Sequence, residues 1–162
     1  MSYAEGTSVP TERSRAEIET MLRKYGAAQF VSGWDADRAV IGFSAQGRQL
    51  RFVLKMPAAN DKRFTHTHHK KRYYPTENSK ERQVQLYEQE VRRLWRALAL
   101  TIKAKLEAVD SGIETFEEAF MPHIVLPDGS TVGQFMSPQL ERVYAGGEMP
   151  RMLLALPAPG DS

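Results

Sequence analysis

The chain has 162 residues, 41% hydrophobic and 26% charged, with no cysteine and a formal net charge of +2. That length suits one domain with its own core, and the missing thiols exclude a disulfide scaffold, a cysteine nucleophile and Cys-based zinc or iron–sulfur sites. No apolar run approaches the roughly 20 residues that span a bilayer, and the N-terminus lacks the apolar core of a signal peptide, so a cytoplasmic protein with no membrane partner is expected.

Residues 1–10 read as an arm. Ser14-Arg-Ala-Glu17 has the form of a capping box, and Ile18, Met21, Leu22 and Tyr25 follow at helical spacing. Gly26 stands where a C-terminal cap belongs. Three strands are predicted near 28–34, 38–44 and 48–56, separated by the turns Asp35-Ala-Asp37 and Ala45-Gln-Gly47. In the third strand Leu50, Phe52 and Leu54 alternate with Gln49, Arg51, Val53 and Lys55, a period of two that gives one dry and one wet face. An antiparallel meander with helix on its dry side is the simplest arrangement.

Residues 57–79 read as a long basic loop. A long helix is predicted from Lys80 to Val109, with an apolar stripe from Val84 through Leu94, Trp95 and Leu98 to Val109. Its length exceeds what a three-stranded sheet covers. A symmetric homo-oligomer is therefore expected, with Leu94, Trp95 and Leu98 as contact residues. The alternative is cover from Phe116, Phe120, Ile124, Phe135, Leu140 and Tyr144 of the same chain. Thr115-Phe-Glu-Glu118 is a second capping box, opening a helix that Pro122 stops. Pro127-Asp-Gly129 marks a turn between Ile124-Val-Leu126 and Thr131-Val132, and Pro138 is expected at the first position of a last helix ending near Gly146-Gly147. The fold class is α+β: one domain over 1–147, followed by a Pro-rich tail over 148–162.

Charge is unevenly spread. Residues 61–106 carry twelve Lys/Arg against five Asp/Glu, whereas residues 107–162 carry two against nine. The densest stretch, Lys62-Arg-Phe-Thr-His-Thr-His-His-Lys-Lys-Arg-Tyr-Tyr74, interleaves cations with rings. Cations follow phosphates and rings stack on bases, which is the combination that single-stranded nucleic acid requires. The candidate binding residues are Arg48, Arg51 and Lys55 on the third strand, Lys62, Arg63, Lys70, Lys71, Arg72, Tyr73 and Tyr74 in the loop, and Lys80 and Arg82 at the helix start. Arg92, Arg93 and Arg96 extend the charge along the helix.

Several short pieces go together: Ser14-Arg-Ala-Glu-Ile18, Lys24-Tyr-Gly-Ala27, Trp95-Arg-Ala-Leu98, Ile102-Lys-Ala-Lys-Leu106, Phe116-Glu-Glu118, Ile124-Val-Leu-Pro-Asp-Gly129, Thr131-Val-Gly133, Pro138-Gln139 and Glu148-Met-Pro150. In these the chain resembles a group of small bacteriophage and prophage proteins of unassigned function. The resemblance spans most of the chain except residues 57–80. It implies a phage setting in the host cytoplasm and supplies no catalytic residues.

No Gly-rich phosphate loop, Gly-x-Ser-x-Gly or His-Glu-x-x-His is present, so no catalytic residue, metal or cofactor is assigned. His66, His68 and His69 offer a His-x-His pair for a metal-dependent nuclease, but the surrounding Lys and Arg repel a cation. The paired acids Asp35 and Asp37, and Glu117 and Glu118, suit turn and helix-start roles. The leading expectation is a non-enzymatic phage-type nucleic-acid-binding protein that favours single strands. The order of three antiparallel strands and a long helix, shared with annealing proteins, suggests a use in recombination. The alternative is a protein-binding or nucleotide-sequestering inhibitor of a host defence system, with a host protein as partner.

Overall fold

Pro10 opens the first helix, α1 (Thr11–Lys24), by accepting the Ser14 N–H on its carbonyl at 3.1 Å. The helix therefore starts one turn before the expected capping box. Ser14, together with Ile18 and Leu22, forms the buried stripe instead of the cap, and no residue satisfies its Oγ. At the other end Gly26, at φ 93°, sits past the last turn, and the Gly26 and Ala27 N–H groups return to Arg23 and Leu22. These two bonds make the left-handed stop that glycine permits. The computed structural model describes residues 4–68 and 73–147, so the Pro-rich stretch 148–162 lies outside the described residues.

The meander follows as expected: β1 (Ala28–Trp34), β2 (Arg38–Ala45) and β3 (Arg48–Lys55) in the order β1-β2-β3, both pairs antiparallel. In the first turn the Asp35 carboxylate accepts the N–H groups of Asp37 and Arg38, each at 2.9 Å. The second turn needs positive φ at Gln46 and Gly47, the pairing that suits a two-residue hairpin. Ala39, Ile41 and Phe43 of β2 and Leu50 and Phe52 of β3 point to the dry face.

The long helix α3 (Lys80–Asp110) begins at Ser79, whose side chain accepts from the Arg82 N–H. Its inner face, through Trp95, Leu98, Ala99, Ile102 and Leu106, packs on the sheet's dry side between α1 and the short α4 (Phe116–Phe120). Phe120, fully buried, meets Phe43 and Phe52 edge-on. The Thr115–Glu118 capping box that starts α4 is present in full.

This packing corrects the expected oligomer contact. Trp95 is 3% and Leu98 9% exposed within one chain, because α1, the sheet and α4 already cover that face; Leu94 is half-buried. Of the in-chain alternatives, Phe116, Phe120 and Ile124 join the core, whereas Phe135, Leu140 and Tyr144 stay exposed.

After a single 3-10 turn (Met121–His123) the chain runs briefly along the β3 edge, with bridges between Leu50 and Ile124 and between Val125 and Thr131. The last helix, α5 (Val132–Gly146), begins at a Thr131–Gln134 capping box, six residues before Pro138, which lies inside it.

Candidate nucleic-acid interface

Among the described residues of 57–79, the expected loop contains short regular elements. Asp61 accepts the Arg63 N–H at 2.9 Å and starts a one-turn helix, α2 (Lys62–Thr65). Phe64 is buried edge-on against Tyr87 of α3, with centroids 5.8 Å apart. Two short paired strands follow, β4 (His66–Thr67) antiparallel to β5 (Thr76–Glu77). Asn78 ties them down: its Nδ2 donates to the Phe64 carbonyl at 2.8 Å, its Oδ1 accepts from Thr67 at 2.7 Å, and its carbonyl accepts from Gln83 at 2.8 Å. The segment thus caps the N-terminal turns of α3 that overhang the sheet. The described part of the N-terminal arm lies here too: Gln89 donates to the Thr7 carbonyl at 3.0 Å, and Ala4 is buried.

The hairpin presents the two tyrosines to solvent. Tyr73 is 90% and Tyr74 75% exposed, and the rings meet edge-to-face at 4.9 Å. Lys62 at the start of α2 and Lys80 and Arg82 in the first turn of α3 are exposed, and none is ion-paired among the described residues. Lys55 ends β3 opposite Arg38. Lys70, Lys71, Arg72 and His69 lie outside the described residues.

Other candidates serve the fold. The Arg63 guanidinium lies between Asp61 (3.1 Å) and Glu90 (3.6 Å) and over its neighbour Phe64, so it is a strut for α2. Arg51 donates to the Gly129 carbonyl at 2.8 Å and to Gln134 at 3.3 Å, which fastens the turn before α5 to the sheet. Arg48 pairs with Ala45 and so shares the parity of Leu50, not of the wet residues. It sits by the Gln46-Gly47 turn, which bonds Tyr25 at the far end of the sheet from the hairpin.

The α3 arginines are likewise spoken for. Arg93 donates two bonds of 2.7 Å to Glu90, Arg92 lies 3.9 Å from Glu88, and Arg96 bonds Glu17 of α1. Arg93 holds the Glu90 carboxyl below its ordinary pKa, with Arg63 adding to the effect. Sequence spacing marked these cations but not their acids, which come from another helix or a preceding turn.

One concavity escaped the sequence reading. A cleft of about 340 Å³ opens between α1, α3 and the sheet end, lined by Arg15, Trp34, Met56, Tyr87 and Trp95, with the Arg15 guanidinium 5.3 Å from the Trp34 ring centre. Its carboxylates, Glu12 and Asp35, make it a poor place for phosphate. The only signal for it was Trp34 beside a turn, because the other walls come from distant segments.

The described histidines do not assemble a metal centre. His66 pairs through Nδ1 with Thr65 at 2.8 Å, and no three His, Asp or Glu side chains gather among the described residues. No helix among the described residues is long and apolar enough to cross a membrane. Comparison with family models, curated proteins and solved structures gives no match.

Proposed function

We propose that this chain binds single-stranded nucleic acid through the β4–β5 hairpin and the start of α3. The observation that carries the reading is the pair Tyr73 and Tyr74, large rings left mostly in water; Lys62, Lys80 and Arg82, on the segments that flank the hairpin, are exposed and carry no ion pair among the described residues. Water-exposed rings of this size are costly unless a partner covers them, and bases stack on such faces regardless of sequence. Lys70, Lys71 and Arg72 adjoin the tyrosines in sequence and add charge for the backbone phosphates. The resemblance to phage proteins suggests a host cytoplasm as the setting, and the order of three antiparallel strands and a long helix suggests recombination or strand annealing as the use.

The test is titration of a fluorescent oligonucleotide at several salt concentrations. Tyr73→Ala with Tyr74→Ala removes about 1–3 kcal/mol per stacked base. Lys62→Ala, Lys80→Ala and Arg82→Ala together flatten the salt dependence, because fewer counterions are released. Arg93→Gln, whose guanidinium is held by Glu90, leaves the binding curve in place. Unchanged affinity in both the tyrosine and the cation variants refutes the assignment.

A further inference from the structure

The chain has two tryptophans, and both line the cleft between α1, α3 and the sheet end. Trp95 forms its buried side, whereas Trp34, the last residue of β1, is 71% exposed. Met56 and Tyr87 add further wall. At about 340 Å³ the cleft is near the low end of the roughly 300–1,000 Å³ typical of ligand sites. An indole left so far in water beside an apolar hollow is a face on which a flat group can stack.

Two charged side chains of α1 also line the cleft, Glu12 and Arg15. They are three residues apart on the helix, a spacing at which opposite charges ordinarily pair. Here they do not. The other two acids of α1 are engaged, Glu17 with Arg96 and Glu19 with Arg23. Glu12 and Arg15 have no ion pair and no side-chain hydrogen bond among the described residues, and the Arg15 guanidinium lies 5.3 Å from the Trp34 ring centre. The remaining acid of the cleft, Asp35, is already occupied by the N–H groups of Asp37 and Arg38 and by the Arg38 guanidinium at 3.4 Å. One free acceptor and one free fork of donors therefore stand beside a bare ring.

This set of groups selects among ligands. A phosphate meets repulsion from Glu12 and Asp35. An added cation finds its place over Trp34 already held by Arg15. A purely apolar group would cover Glu12 and Arg15 without answering their hydrogen bonds, which is costly. A flat neutral ring with donors on one edge and acceptors on another satisfies all three elements, and nucleobases have that form. Guanine matches best. Its N1–H and amino group are adjacent donors that one carboxylate accepts together, and its O6 and N7 take both arms of a guanidinium. Uracil and thymine offer a single ring N–H between two carbonyls. Adenine and cytosine place a lone pair next to the amino group, where it faces the carboxylate.

We infer that the cleft is a site for a single nucleobase, guanine in preference to the others. The base stacks on Trp34, Glu12 accepts from its N1–H and amino group, and Arg15 swings from the ring face to donate to O6 and N7. Unpaired bases are commonly read in this way, by stacking on an aromatic ring and hydrogen bonds to their edges. Sugar and phosphate stay outside, away from the carboxylates. A free guanine nucleoside and a guanine within a strand present the same chemistry. The site uses none of the hairpin residues, and it stands whether or not Tyr73 and Tyr74 bind a strand.

The test is NMR titration of the full chain with guanosine, followed on the indole N–H signals, both of which report on the cleft. Guanosine is expected to shift both signals and to bind at least about tenfold more tightly than uridine, since a hydrogen bond to a charged group is at stake. Trp34→Leu, at an exposed position, is expected to weaken guanosine at least about fivefold, read on Trp95, and Trp34→Phe to retain most of the affinity. Glu12→Gln is expected to weaken guanosine about tenfold and to leave uridine unchanged. One guanine placed in oligothymidine that tightens binding through Trp34 identifies a strand as the source; guanosine binding with no such gain identifies the free nucleoside, and either supports the site. Oligothymidine binding by the Tyr73→Ala/Tyr74→Ala variant reads the hairpin alone, so the two assignments fail separately. The inference is overturned if millimolar guanosine moves neither indole signal, if Trp34→Leu or Glu12→Gln binds guanosine as the wild type does, or if tetramethylammonium reproduces the shifts, which means a cation site.

Discussion

The helices α3 and α5 carry the same kind of apolar stripe and meet opposite fates. In α3 the stripe from Trp95 to Leu106 is sealed by a sheet, a parallel helix and the α4 turn, and the overhanging first turns receive Phe64 and the hairpin. In α5, among the described residues, the stripe is only partly covered: Met136 and Val143 are half-buried, while Phe135, Leu140 and Tyr144 stay exposed. A hydrophobic period states that a face favours cover. What provides the cover is decided elsewhere, for α3 by segments as far away as Thr7, which accepts from Gln89.

The largest effect that sharpens this contrast is truncation on the two sides of it. Phe120→Ala opens a cavity beneath Phe43 and Phe52, and the expected loss is about 3–5 kcal/mol by denaturant unfolding. Leu140→Ala, on the bare stripe, is expected to change the unfolding free energy of dilute monomer by less than about 0.5 kcal/mol, the usual range for surface positions. Equal losses at the two sites would mean that α5 is packed within its own chain.

Of intermediate size is Gly133→Ala at the root of α5. The added Cβ faces a backbone carbonyl at 2.9 Å, which cannot rotate away, so the root must shift at a cost of about 1–3 kcal/mol. Because α5 depends on that root for its direction, helix content by circular dichroism is expected to fall along with stability. A neutral outcome would show that Pro122 gives way freely.

The smallest effect is a pH dependence next to the core. His123 stacks on Phe52 with centroids 3.9 Å apart. Burial holds its imidazole pKa below the ordinary value; Lys105 adds to that, and a bond to the Arg51 backbone opposes it. As pH falls below the ordinary imidazole value of about 6.5, the unfolded chain takes up the proton first, and stability drops until the lower folded-state pKa is passed. Above that window the group contributes nothing. Stability of the wild type is expected to decline through this range and that of His123→Phe to stay flatter; parallel curves would exclude His123 as the cause.

Much of the fold was legible because its signals are local. The three strands, the Ser79 start of α3, the α4 capping box and the Gly26 stop each rest on neighbours within a few residues, and each lies within a residue or so of its expected place. The misreadings also have physical causes. Ser14 looked like a cap, but Pro10 took over that role and the small hydroxyl side chain went into the core stripe. Thr131-Val132 reads in the sequence only as the segment after the Pro127-Asp-Gly129 turn; Thr131 is both a bridge partner and the cap of α5, with Gln134 three residues on as the overlooked signal. In the proposed binding region the sequence marked Tyr73, Tyr74, Lys62, Lys80 and Arg82. It could not show that Arg51, Arg63 and Arg93 were already committed.

The sequence by itself determined the periodicities, the turn chemistry and hence the order helix, meander, long helix, short helix. These depend on backbone geometry and on side chains that are neighbours along the chain. Only the tertiary structure decided which cations remain free and which stripe remains bare. Both outcomes depend on what distant segments bring alongside: Glu90 and Glu17 beside the α3 arginines, Asp61 and Glu90 around Arg63, and, among the described residues, little cover for Tyr144 of α5 or Val31 of the sheet.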